Sequence, residues 1–253
     1  MVNYVLTTCS TADISWEYLK KRNIEYIRFS YFLDGEEYKD DLGQGISYEE
    51  FYKRMDSGED TQTSQINVPE YLDYFESFLS EGKDIIHLTL SSGISGSYNS
   101  AVNAAKIAKE RHPDRKIYVI DSLAASSGYG LLMDKLADLR DEGMGIDELN
   151  AWANENKFRL HHWFFSTDLT FFVKGGRISK ASGWFGTVLK ICPLLNVDLN
   201  GKLVPRFDSE ANAYKFFSKI HRQLRADGVD FVKVDNQSLI RRHYANVAPV
   251  GTV

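Results

Sequence analysis

The stretch "LSSGISGSYNSA", Leu90 to Ala101, sets serines 91, 92, 95 and 97 and glycines 93 and 96 between an apolar run and an alanine-rich one. A strand that ends in small residues and opens a helix makes an anion site. The first helical turn leaves backbone N–H groups unpaired, and the aligned peptide dipoles place partial positive charge there. Serine hydroxyls add donors that rotate to suit the guest, and the glycines are expected to let an anion approach the backbone. Three readings stand side by side: plain capping of the helix by Ser95, a non-catalytic anion site, and a nucleophile elbow. "GISGS" comes close to Gly-x-Ser-x-Gly but ends on Ser97. A serine-dependent acyl hydrolase using Ser95 would also need a base. His87 falls in an apolar strand, His112 at a helix exit, and the adjacent His161 and His162 point to opposite faces of any strand. The loop is not a Walker motif, because no Gly-Lys-Ser/Thr follows the glycines. A nucleotide-binding regulator is a third class, which ATP-induced thermal shifts would reveal.

A second polar corner, "DTQTSQINVPEY", places Thr63, Ser64 and Gln65 just before a helix expected from Val68 or Pro69. Alone it reads as ordinary capping. With the serine corner, it brings hydroxyls to one ligand from two helix starts.

The elements that must position these corners alternate. Strands are expected at 3–8, 25–33, 84–90 and 116–122, and helices at 14–23, 47–58, 68–82, 98–111, 128–143 and 145–157. Ser47 with Glu50 forms a capping-box pattern, and Pro69 and Gly82 mark the start and end of one helix. Such alternation calls for a mostly parallel sheet with helices on both faces. After residue 157 the texture changes. A strand is expected at 159–167, an apolar helix from 183 interrupted by Pro193, a strand-like "LLNVD", a turn "LNGK", and an amphipathic helix at about 211–226. Domains are therefore expected at 1–157 and 158–253.

The net charge of −5 argues against a nucleic-acid grip, which needs a basic face. No run approaches the ~20 apolar residues that cross a bilayer, so no stable membrane insertion is expected. The first residues show neither a basic leader nor a cleavage site, and a cytoplasmic location is expected. Cys9 and Cys192 lie in unrelated contexts without Cys-x-x-Cys spacing, so both are read as reduced thiols and no metal site is expected.

Five blocks in register over about residues 4–205 resemble the DegV family of bacterial fatty-acid-binding proteins. They are "LTTCSTADIS", "TSQINVPEY", "LSSGISGSYNSA", "YVIDS" with "ASSGYG", and "STDLTFFVKGGRISK" with "VLKICPLLNVDLNGKL" behind it. The resemblance implies a two-domain DegV-like (EDD) fold. The N-terminal domain would be the parallel sheet with helices on both faces, the C-terminal one a smaller α/β domain, and a long-chain fatty acid such as palmitate, stearate or oleate would be buried between them. It implies a carrier without catalytic activity or cofactor, which presents the acyl carboxylate to a separate fatty-acid kinase subunit. Carried over by position, the carboxylate ligands are Thr63 and Ser95, with Ser64, Gly96 and Ser97 of lower weight. Arg177 would bring positive charge near the mouth or serve packing and turn formation. The tail would draw on Phe164, Phe165, Phe171, Phe172, Trp184, Phe185, Val188, Leu189 and Ile191, each of which also suits ordinary core. Two departures stand out: Cys9 replaces the family's usual aspartate, and the chain ends "YANVAPVGTV" without the usual Gly-x-His-x-Gly-Pro-Gly segment, so His243 is given no role.

Overall fold

The computed structural model describes residues 4–165, 169–178, 194–207 and 234–235. Four strands, β1 (Tyr4–Cys9), β2 (Ile24–Ile27), β6 (Asp84–Thr89) and β7 (Ile117–Asp121), form an all-parallel sheet in the order β2-β1-β6-β7. From Leu6 to Cys9 and from Ile85 to Thr89 the two central strands are buried. That is why they read as near-continuous apolar runs rather than as alternation. Helices flank the sheet, as the α/β alternation requires: α1 (Trp16–Lys21), α3 (Val68–Leu79), α4 (Ser97–Arg111), α5 (Ser126–Asp141) and α6 (Ile146–Asn156). In α4, the fully buried Ala101, Ala104 and Ala108 recur at helical spacing, and their small size keeps this helix close to its neighbours.

Local capping chemistry sets the helix starts. Ser15 Oγ accepts from the Tyr18 N–H, and Ser47 Oγ accepts from Glu50 at the head of α2 (Tyr48–Asp56). Helix α3 is capped by Asn67, whose side chain accepts from the Glu70 N–H while Glu70 accepts from the Asn67 N–H. That reciprocal pair satisfies two donors the first turn leaves open. Thr63 and Ser64 therefore do not cap α3.

They belong instead to a second sheet, which the sequence reading did not anticipate. The run 25–33, expected as one strand, is two. Strand β2 ends at Ile27, Phe29 donates its N–H to Ser10 Oγ, and β3 (Ser30–Leu33) turns away into an antiparallel sheet. Its neighbours are β4 (Glu36–Lys39) and β5 (Thr61–Ser64), in the order β4-β3-β5. Between β3 and β4, Asp34 and Gly35 both take left-handed backbone (φ 48° and 85°), as a tight two-residue hairpin demands.

The chain divides into two compact units. Among the described residues, one holds those up to Leu160 together with Leu199–Gly201, and the other holds His161–Asp198 and those from Lys202 onward. The second unit has its own sheet, in the order β10-β9-β8-β11, from β8 (Trp163–Phe165), β9 (Leu194–Val197), β10 (Leu203–Phe207) and β11 (Val234–Asp235). Phe164, Leu169, Ile178, Leu195 and Val197 make its core, with the short helix α7 (Thr170–Lys174) beside them. The helices expected from 183 and at 211–226 lie outside the described residues.

Candidate functional site

The strand order places the serine corner. From β1 the chain moves outward to β2 on one side, while β6 and β7 lie on the other, so the sheet's direction of winding reverses between β1 and β6. Ligands of open parallel sheets bind outside the carboxyl ends of strands at such a reversal. Residues 90–96 leave β6 at that end and lead directly into the 15-residue helix α4.

The corner is tied by its own hydroxyls. The Ile94 and Ser95 N–H groups both donate to Ser91 O at 3.0 Å, folding the loop back on itself. Ser95 Oγ accepts from the Ser97 N–H at 3.2 Å and lies 3.0 Å from Ser97 Oγ, which in turn accepts from the Ile66 N–H at 3.2 Å. Ser97 is fully buried, whereas Ser95 keeps 7% of its surface. Ser95 thus accepts from the first helical residue, although the N-cap position itself falls to Gly96, and it is the less deeply buried of the pair. Asp121, at the end of β7, accepts from the Ser92 and Leu123 N–H groups at 3.1 Å each and pins the corner to the next strand.

The glycines do a different job from the one expected. Their bare Cα faces are taken by protein rather than left open to an anion. A Cβ on Gly93 would stand 2.6 Å from Gly201 O and 2.7 Å from Asn200 O. Gly201, at φ 71°, receives the Ser91 hydroxyl on its carbonyl at 2.8 Å. Gly96 lies beneath the Gln65 side chain, whose Cδ would be 3.0 Å from an added Cβ. These neighbours come from distant parts of the chain, so nothing local in the sequence pointed to them.

The two polar corners do meet, at Gly96 and Ser97. Gln65 covers Gly96, and Ile66 donates to Ser97. Thr63 is exposed on β5, in register with Tyr31, and Ser64 is in register with Ser30. Among the described residues no hydrogen bond joins either to the serine corner. Arg177 sits in the second unit, where its Nη1 donates to Gly175 O at 2.6 Å. Its N–H and that of Gly176 donate to Phe172 and Val173 carbonyls, and Gly176 has φ 73°, so the Gly-Gly-Arg segment ends α7 in a Schellman turn.

Beneath the corner, Cys9 and His87 are fully buried on the face of the sheet that α3 covers. The thiol lies 3.5 Å from Tyr71 OH and 3.8 Å from His87 Nε2, and His87 Nδ1 is 2.7 Å from Thr7 Oγ1. Burial pushes the Cys9 thiol up to about 11 and His87 down to about 3, so both are neutral near pH 7. His87 is enclosed in the sheet and engaged with Thr7; it is not a base for Ser95.

A family model described as "Uncharacterised protein, DegV family" matches residues 4–231. The chain belongs to the DegV family. A DegV domain-containing protein of Streptococcus pyogenes serotype M3 is 36% identical over 204 residues, 81% of this chain and 71% of that protein. Among solved structures, a stearic acid-binding protein from Eubacterium ventriosum superposes with a TM-score of 0.74 at 28% identity, covering 88% of this chain and 78% of the other. The DegV fatty acid-binding protein of Bacillus subtilis gives 0.73 at 28%, covering 90% and 78%. Of the side chains that the DegV resemblance offers to a lipid tail, Phe164 is buried and stacks on Phe172 at 5.8 Å, while Phe171 is exposed. Trp184, Phe185, Val188, Leu189 and Ile191 lie outside the described residues.

Proposed function

We propose that this protein is a non-catalytic carrier of a long-chain fatty acid such as palmitate, stearate or oleate, and that residues 1–157 hold its carboxylate. Ser95 is the principal ligand at the head of α4. Thr63 is the second, with Ser64 and Gly96 as subsidiary candidates and Ser97 behind Ser95. The observation that carries this reading is the Ser95 hydroxyl at the head of a 15-residue helix, at the sheet's winding reversal. Structural relatives at 28% identity are named for binding stearic acid and fatty acid, which supports the same class of guest. Magnitudes fit a carrier. Burying a C16 tail at ~0.8 kcal/mol per methylene gives a gross drive on the order of 12 kcal/mol. Each hydrogen bond to the charged head adds ~1.5–3 kcal/mol before desolvation. The tail dominates affinity, and the hydroxyls set orientation. Presentation of the acyl carboxylate to a separate kinase subunit, in the cytoplasm, completes the proposal and rests on the family resemblance.

The competing reading is a serine-dependent acyl hydrolase. It is disfavoured because, among the described residues, the hydrogen bonds of the Ser95 hydroxyl run to Ser97 and to no base. A fluorophosphonate probe separates the two: the carrier leaves Ser95 unlabelled. Ser95→Ala combined with Thr63→Val is expected to weaken palmitate binding by at least tenfold in a displacement titration, since each loses a bond to a charged group. Unchanged binding in the double variant removes this site.

A further inference from the structure

The hydrogen bonds at the corner have a direction, and it bears on what Ser95 can recognise. Ser97 Oγ accepts from the Ile66 N–H, and Ser97 is fully buried. Its own proton needs an acceptor, because a buried hydroxyl left without one costs its full desolvation. Among the described residues, Ser95 Oγ, 3.0 Å away, is the side-chain acceptor within reach. That same oxygen already accepts from the Ser97 N–H at 3.2 Å. A hydroxyl oxygen has two lone pairs and one proton. Both lone pairs of Ser95 are then occupied by donors from Ser97, and only its proton is left to face outward.

We propose that Ser97 is a positioning residue that makes Ser95 a donor-only hydroxyl, so that the site selects an ionised carboxylate head over a long-chain head group that must itself donate. This deepens the fatty-acid reading and rests on it for the identity of the guest. The chain of bonds runs Ile66 N–H, Ser97 O–H, Ser95 O–H, ligand, each polarising the next. A carboxylate, which only accepts, completes it. A fatty alcohol brings a proton that finds no lone pair on Ser95. Gln65, laid over Gly96, closes the turn that holds Ser95 and Ser97 in register.

Two measurements test this. In the first, palmitate and 1-hexadecanol are titrated against wild type, Ser97→Ala and Ser97→Thr. The palmitate preference should shrink about tenfold in Ser97→Ala and return in Ser97→Thr, which keeps the hydroxyl. An unchanged preference in a folded Ser97→Ala overturns the proposal. In the second, neutron diffraction from deuterium-exchanged crystals of the wild-type protein should show a deuteron on Ser97 Oγ directed at Ser95 Oγ. A Ser95 deuteron directed at Ser97 overturns the proposal, whatever the alanine variant does. If wild type takes up neither ligand, the fatty-acid reading fails by itself, and the neutron map still decides the direction of the bond.

Discussion

Gly93 and Gly201 stand face to face across 108 positions of sequence, and a side chain on the first would meet the second's carbonyl oxygen at 2.6 Å. The serine corner is therefore held from outside by the Leu199–Gly201 turn as well as from within. Gly93→Ala should destabilise by about 1–3 kcal/mol, the usual penalty for overpacking against atoms that cannot swing aside. For a chain of this size that is a fall of roughly 2–12 °C in Tm. Gly58→Ala is the control: it has φ 97° but no neighbour within 4 Å, so only backbone strain is added. Differential scanning fluorimetry checks both, and a Gly93→Ala protein as stable as wild type would contradict the interlock.

His87 makes stability depend on pH. Its folded value, pushed down by burial to about 3, lies below the ordinary 6.5 of the unfolded chain. Between these values the unfolded state binds a proton that the folded state refuses. Stability from this group is complete above pH 6.5 and is lost as pH falls toward 3, at about 1.4 kcal/mol per pH unit. The groups facing the ring are Thr7, Cys9, Tyr71 and the rings of Tyr74 and Phe75, none of them ionised near neutrality. Urea melts from pH 7 to 4 should show this slope, and His87→Leu should flatten it by about one proton. Equal slopes in the two proteins would refute the assignment.

The Cys9 thiol should be silent. It is inaccessible and its pKa is raised to about 11, so at pH 8 almost none is thiolate. In a Cys192→Ser background, a disulfide reagent should fail to label the native protein over hours and label it fully in urea. Rapid native labelling would show that the sheet opens at β1.

Much of the first unit was legible, because its signals are local. Ser47 begins α2 by a contact spanning three residues, as its spacing to Glu50 predicts, and β1, β6 and β7 announce themselves as apolar runs. The three-stranded sheet was not read. Strand β5 is "TQTS", with no apolar alternation to betray it, and the run from 25 to 33 hides its break between Ile27 and Ser30. Asp34-Gly35, with both residues in left-handed backbone, is the one hairpin signal this stretch carries. The glycine roles were illegible for another reason: Gly93 answers to Gly201, and Gly96 to Gln65, so neither can be inferred from its neighbours in sequence.

Native protein purified without added lipid, extracted with organic solvent and quantified by mass spectrometry, tests the carrier reading most directly. The expected result is a long-chain fatty acid approaching one equivalent per chain, exchangeable for added palmitate. An extract without lipid, from protein that also takes up neither palmitate nor oleate, would contradict it.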